Sequence, residues 1–502
     1  MHIKQFVFIC VIVLFLFACV NESGNVADHA SAQQAVATFL INTNSTYFWA
    51  TAENGTVCWA GTNATYTIQS AFDDVASGGI VQLGIGQFPV LGIYITNTAS
   101  QGSIRLTGAG EYQSTLELEA DAPGQTSQNG GTYPEGFYAV VFVEGVNDNT
   151  PINIEIDNIG INGNCANQTK NIAGIVVRGG MPFEIHDNYI VNCGGHGIAC
   201  IPPEWFVVKE IYHNTIYYTN MYGATPAVPP EPVENTLSGI YCYDVDSNVF
   251  DNTVGWSGWT GSISGMNFTG VGITVFVTDN VQENWMWGDR YGILAVDAQQ
   301  LMITNNFVDG NKQAGIFLWD THLALVSNNE IRPTFNLVGN AEAGIIIAGN
   351  SSYNTISNNM IWSWCDATHI FNTTFGIEEK DQADYNIIQD NDVIQNQTTL
   401  VSGEVVNSVG NILIPYYTIG KHTILIDNIP SAAAPSTPAP STPTARAPTR
   451  RISTSSSAKA SSKTFSLVYR TPIIELVVIL AMIILAMLFV IIKLSARAAT
   501  RS

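Results

Sequence analysis

The chain carries little positive charge. Nineteen Lys and Arg stand against 41 Asp and Glu among 502 residues, a formal net charge of −22. Residues 20–430 are more lopsided, with 9 Lys and Arg against 40 Asp and Glu, a difference of −31. Such a field repels polyanions and argues against a nucleic-acid partner; it suits a rod in salt or Ca²⁺-rich surroundings. The 8 cysteines include no C-x-x-C pair, which leaves a zinc or dithiol redox motif unsupported. Apolar spacing of period 3.6 is missing from the repeated region, which excludes a helical bundle there.

What is present is a short pattern returning eight times between Gly174 and Val393. Gly-Ile pairs begin at Gly174, Gly197, Gly239, Gly272, Gly292, Gly315, Gly344 and Gly376. Each is followed, 12 to 17 residues on, by Asn188, Asn214, Asn252, Asn284, Asn306, Asn329, Asn359 or Asn391. The interval from Asn to the next Gly varies from 8 to 25 residues. A fixed scaffold with insertions at one corner is how a solenoid reads.

Apolar residues recur three before and two after each Asn, from Ile185 and Ile190 to Ile388 and Val393. The third residue after each Gly, from Val177 to Ile347 and then Glu379, is assigned inward; the second and fourth, which are mixed, are assigned outward. Period two means short strands with one buried face. The recurrent Asn is expected at a turn, stacked coil on coil, bonding backbone and taking a left-handed conformation. Asp244, Asp297, Asp320 and Asp381, five residues after their Gly, mark another turn.

The segments GIIIAGNSSYNTISNNMI (Gly344 to Ile361) and GILAVDAQQLMITNNFV (Gly292 to Val308) resemble the right-handed parallel β-helix repeat of the pectin-lyase-like superfamily. TIQSAFDDVASGG (Thr67 to Gly79) resembles the short helix that caps the first coil, with Ile68, Ala71, Phe72 and Val75 at helical spacing. The resemblance covers residues 56–430 and implies an all-β, single-stranded right-handed parallel β-helix with an N-terminal capping helix. It implies no single chemistry, because the fold hosts lyases, hydrolases, epimerases, adhesins and tailspikes.

The ends read differently. Lys4 and the apolar run from Phe6 to Ala18 are a signal-peptide pattern, placed at 1–19 ahead of a lead segment at 20–55. After the ectodomain at 56–430 come a Ser/Thr/Pro-rich stalk (431–471), a C-terminal transmembrane helix (472–492) and a cytoplasmic tail (493–502). The apolar stretch has the length of a bilayer core, about 30 Å, and Lys493, Arg497 and Arg501 follow it on the inner side. The expectation is a single-pass membrane protein with an extracellular or virion-surface ectodomain.

Sequons occur at Asn21, Asn44, Asn54, Asn63, Asn167, Asn267, Asn350, Asn372 and Asn396, and all but Asn21 are the glycosylation candidates. Cys200 and Cys242 share one inward slot on adjacent coils, about 4.8 Å apart, which admits either a disulfide or two stacked thiols. Gly195-His196-Gly197 resembles the Gly-His-Gly of polygalacturonases. The preceding coil, however, offers GIVVRG without a carboxylate, and hydrolysis of a glycoside needs an acid and a base. His196, Asp289, Asp309 and Asp320 are therefore the catalytic candidates. Tyr217, Trp256, Trp285, Trp287, Trp362 and Trp364 stand beside the Asn strand, where flat rings on a rigid sheet can stack on sugars or pack the insertions down. Two functions follow as expectations. One is a membrane-anchored surface protein binding carbohydrate or a partner surface; the other is a surface polysaccharide hydrolase or lyase. Neither requires a cofactor, and Ca²⁺ is compatible with the acidic surface.

Overall fold

The computed structural model describes residues 38–431 apart from 77, 98–102, 129–136, 146–152, 180–181, 202–208, 220–236, 244–245, 259–268, 278, 333–340, 364–372, 396–397, 402–403, 408–421 and 427–428. Contacts divide the chain into Met1–Ser436 and Thr437–Ser502, and the described residues all belong to the first unit. The expected signal peptide, most of the stalk, the membrane helix and the tail lie outside them. Among the described residues no helix is long and apolar enough to cross a membrane.

Each coil contributes three short strands, one to each of three sheets. Ile154–Asp157 joins the first sheet, Gly160–Asn162 the second and Ile172–Arg178 the third, and Phe183–His186 then returns to the first. The sheets contain 15, 12 and 10 strands, parallel throughout the coils. Successive coils are in register: Ile293 pairs with Ile316, and Ile316 with Ile345. These side chains, with Ile303, Val326, Val308 and Ile331, meet in one continuous interior. The repeat Gly has a steric cause rather than a conformational one. A Cβ on Gly292 would lie 2.4 Å from Val308 Cγ1, and one on Gly344 2.5 Å from Ile361 Cγ2.

The recurrent Asn residues form a buried ladder. Asn306 Nδ2 donates to Val281 O (2.9 Å) and to Asn329 Oδ1 (3.0 Å), and Asn329 repeats the pattern toward Asn359. One expectation needs correcting. The left-handed residue is the one before each Asn, as in Asp187, His213, Asp251 and Glu283 (φ 53–59°), because the chain turns outward there before the Asn drops into the interior. Asp297, Asp320 and Asp381 are left-handed, as their turn assignment requires.

A second correction concerns the third sheet. Its outward positions Ala199, Tyr241, Leu294, Phe317 and Ile346 are buried in an apolar layer of their own. The sheeted region also begins ahead of residue 56. Thr38–Thr43 pairs with Ile80–Leu83, and the antiparallel strands Phe48–Ala52 and Val57–Gly61 extend that sheet. The helix Ala64–Asp74 follows, capped by Asn63, whose side chain accepts from Tyr66 N at 2.9 Å. Ile68, Ala71 and Phe72 face the interior. Gln69 meets the outermost strand of the third sheet: its Nε2 donates to Tyr94 O (2.7 Å), and its Oε1 accepts from Tyr94 N (3.0 Å).

Candidate functional site

The outer face of the second sheet carries a terrace of rings. Tyr217 and Trp287 lie in the same outward row, separated by Gly255. That glycine makes room: a Cβ there would fall 2.6 Å from Trp287 Cδ1 and Nε1, so the indole lies over the bare backbone. Trp287 thereby reaches Tyr217 across an intervening strand, at 6.1 Å between centroids. Tyr218 and Trp256, both left-handed, end their strands and turn their rings toward each other at 4.9 Å; Trp256 and Trp287 are 4.8 Å apart. All four rings are half-buried. Tyr189, on the preceding strand in the row of Thr215, has its ring 6.5 Å from that of Tyr217, and exposed Tyr112 stands 4.7 Å from Tyr189.

Polar groups border the terrace at the corner between the first and second sheets. Glu111, Tyr112, Asp187 and His213 line a cavity of about 420 Å³. His213 Nε2 lies 3.0 Å from Asp251 Oδ2, and His186 Nδ1 lies 2.8 Å from Asp187 Oδ2. Burial, assisted by the charge of Asp187, holds the Glu111 carboxyl above its usual range. On the far side of Trp287 comes its register partner Asp309, raised by burial while neighbouring Arg332 opposes the shift. Arg332 also covers Phe307 at 4.3 Å, and Phe307 meets the exposed edge of Trp285 at 5.6 Å.

The structure thus brings Tyr217, Trp256, Trp287 and Asp309 together, with Trp285 at the margin. Trp362 lies on the strand Met360–Ser363, but its side chain is outside the description, as is all of Trp364. The other catalytic candidates are placed elsewhere. His196 is fully buried; its Nδ1 accepts from Ser238 N at 3.1 Å, and burial lowers it to about 3, so it does not face a substrate. Asp289 is fully buried as well. Its Oδ1 accepts from Ser257 N (2.8 Å) in an interior row that continues to Asn311, and burial raises it well above the carboxylate range. Asp320 serves its turn, accepting from Asn350 N at 2.6 Å.

Cys200 and Cys242 are register partners, as the spacing required, and both are free thiols facing the interior, the stacked-thiol alternative of the two. Their shared slot lies in the interior, where the buried side chains of Lys209, Ser247 and Asp279 stand near the Cys242 thiol. Asn44, Asn54, Asn63, Asn167 and Asn350 are exposed, whereas Asn267, Asn372 and Asn396 lie outside the described residues. For the Ca²⁺ expectation, Glu155, Asp157 and His186 are the described residues close enough to share an ion. Arg105 already stands there, donating to Asp157 at 2.7 and 2.8 Å and pairing with Glu155 at 3.3 Å.

The sequence did not reveal Gly255, Tyr112 or Tyr189. Tyr189 follows its Asn by one residue, as Trp285 does, so the register rule could have found it; Tyr112 lies ahead of the repeats and carries no such signal.

Comparison with known proteins follows from this geometry. Residues 206–411 match the family described as "Periplasmic copper-binding protein (NosD)". None of the curated proteins matches the chain in sequence. Among solved structures, the A-module of Azotobacter vinelandii mannuronan C-5 epimerase AlgE6 is 12% identical, covering 73% of this chain and 94% of its own, with a TM-score of 0.43. The DFA-IIIase of Arthrobacter chlorophenolicus A6 without its lid is 15% identical over 72% and 90%, with a TM-score of 0.48. The enzymatically active domain of bacteriophage CBA120 tailspike protein 2 is 14% identical over 71% and 49%, with a TM-score of 0.48. Three parallel sheets wound coil on coil around one aliphatic interior make this chain a parallel β-helix.

Proposed function

We propose that the rod is a surface recognition protein and that the second sheet binds carbohydrate at the terrace of Tyr217, Tyr218, Trp256 and Trp287. The observation that carries this reading is the set of four half-buried rings grouped over Gly255. Ring faces match the apolar faces of sugars, and the neighbouring carboxyls and imidazoles suit their hydroxyls. Asp309, the register partner of Trp287, stands beside the rings as a partner for sugar hydroxyls; burial raises it, Arg332 opposes the shift, and the Glu330 carboxyl, itself bonded to Arg332, adds to it. The expected signal, stalk and membrane helix would display the rod outside the cell, and they belong to this proposal.

Copper does not enter it. Within 206–411 the described residues offer no three His, Cys, Asp or Glu side chains close enough to share an ion, and the group that comes close, Glu155, Asp157 and His186, lies outside that segment and holds Arg105.

The test is an immobilised oligosaccharide panel read together with reducing-sugar release. Trp287→Ala should weaken retention about tenfold, equivalent to ~1.4 kcal/mol, with an unchanged melting temperature. Equal retention would remove the terrace, and released reducing ends would replace recognition by hydrolysis.

A further inference from the structure

One end of the terrace opens into a cavity of a single charge sign. Tyr112 and Thr215, which lies two residues before Tyr217 on the same strand, both line the corner cavity of about 420 Å³. The rings lead into it in two steps, 6.5 Å from Tyr217 to Tyr189 and 4.7 Å from Tyr189 to Tyr112. An oligosaccharide stacked on the terrace and continuing along these rings reaches the cavity.

Glu111 and Asp187 face that cavity, and none of its described lining residues is Lys or Arg. Elsewhere the scarce basic residues are set on carboxylates: Arg105 on Asp157, Arg178 on Glu144, Arg332 on Glu330 and Lys380 on Glu342. Burial first, and then the charge of Asp187, hold the Glu111 carboxyl above its usual range, as befits two acidic groups with no cation between them. The negative field continues onto the first sheet. Tyr212, whose ring stacks on His186 at 4.6 Å, is pushed up to about 12 by burial and by the charges of Glu184, Asp187, Glu210 and Glu155. Two imidazoles share these carboxylates. His186 Nδ1 lies 2.8 Å from Asp187 Oδ2, and His213 lies 3.0 Å from Asp251 Oδ2 and 3.7 Å from Asp187 Oδ1. An imidazole offers a hydrogen bond without the permanent charge of a guanidinium. Such a corner repels an acidic sugar and gains nothing in charge from a neutral one. A sugar with a free amine satisfies both features: its apolar face stacks on the rings, and its ammonium brings three donors to the carboxylates.

We propose, building on the carbohydrate-binding terrace, that its ligand is an amino sugar with an unsubstituted nitrogen, a glucosamine-type oligosaccharide, whose ammonium is held in the corner cavity between Glu111 and Asp187.

The experiment uses the full-length protein at about pH 6.5, where the amine is an ammonium, and compares by calorimetry a tetramer of glucosamine with a tetramer of N-acetylglucosamine. The free amine should bind about fivefold tighter, the worth of an ammonium among partly exposed carboxylates. Raising salt from about 0.05 to about 0.5 M should shrink that ratio. Asp187→Asn removes the charge, keeps the shape and suits the left-handed backbone there (φ 54°), so the ratio should fall toward one. Glu111→Gln reads the same ratio should the first variant melt early. Trp287→Ala should weaken both tetramers. Equal affinity for the two tetramers, or a ratio unmoved by both carboxyl variants, would overturn the amino-sugar assignment and leave the terrace to neutral sugars. Failure of both tetramers, while another oligosaccharide is retained and responds to Trp287→Ala, would likewise overturn this assignment alone. Glucosamine bound without any response to Trp287→Ala would mean attraction by charge only, and would discard the terrace together with the ligand proposed for it.

Discussion

Replacing Asn306 by Ala tests the interior ladder at its middle. Asn306 Oδ1 receives the backbone N–H and the side-chain Nδ2 of Asn284, at 3.0 and 3.1 Å. Its own Nδ2 serves Val281 O at 2.9 Å and Asn329 Oδ1 at 3.0 Å. Truncation leaves the Asn284 N–H without an acceptor in a site closed to water. It also removes one donor each from Val281 O and Asn329 Oδ1. A stranded buried donor costs about 1–3 kcal/mol and each of the three further lost bonds, that from Asn284 Nδ2 included, about 1 kcal/mol, a total of about 4–6 kcal/mol. Because each coil touches only its neighbours, the loss should be local. Native-state hydrogen exchange should show it in the strands Asn280–Gln282 and Met302–Thr304, with remote coils unchanged. Asn280→Ala is the matched control. Its side chain bonds Asn248 Oδ1 at 2.9 Å on the half-buried outer face, and its removal should cost under about 0.5 kcal/mol. A cost below about 1 kcal/mol for Asn306→Ala would mean that the ladder is decoration, and the argument for a hydrogen-bonded spine would fail.

Two further substitutions probe the site and the interior. Gly255→Ala places a methyl group where the Trp287 indole lies; indole fluorescence should shift and oligosaccharide retention should fall, with a stability loss of about 1–3 kcal/mol from overpacking. Unchanged fluorescence would show that the indole does not rest on that backbone. Asp289→Asn addresses pH. Because burial raises Asp289, the folded chain keeps its proton above about pH 3.9, where the unfolded chain has lost it, so stability falls as pH rises from there toward the folded value. The Asn variant should flatten that decline in urea titrations run between acid and neutral pH; an identical slope would refute the buried, protonated assignment.

The rod was legible because period-two alternation and a fixed Gly-to-Asn interval leave few alternatives for burial. Ile293, Ile316 and Ile345 stack as the repeat required. The terrace was partly legible: Tyr217, Trp256 and Trp287 stood out as rings beside the Asn strand, while Gly255, which lets them meet, looked like one more glycine. Asp289 was misread because nothing local distinguishes a carboxyl turned into the interior from one turned to water. His196 failed for the same reason. The outward layer on the third sheet was missed although Leu294, Phe317 and Ile346 are strongly apolar, since alternation was allowed to decide the outer face without regard to residue type.

The hydrogen bonds from Gln69 to Tyr94 close one position of the outermost strand of the third sheet to further pairing. An edge strand with vacant amides and carbonyls invites another molecule to add itself, which is the first step toward fibres. Here the amide side chain of a helix occupies those groups on the third sheet with both of its own, donor against acceptor. Replacing Gln69 with an aliphatic residue would leave the helix in place yet reopen a template for polymerisation at that end of the stack.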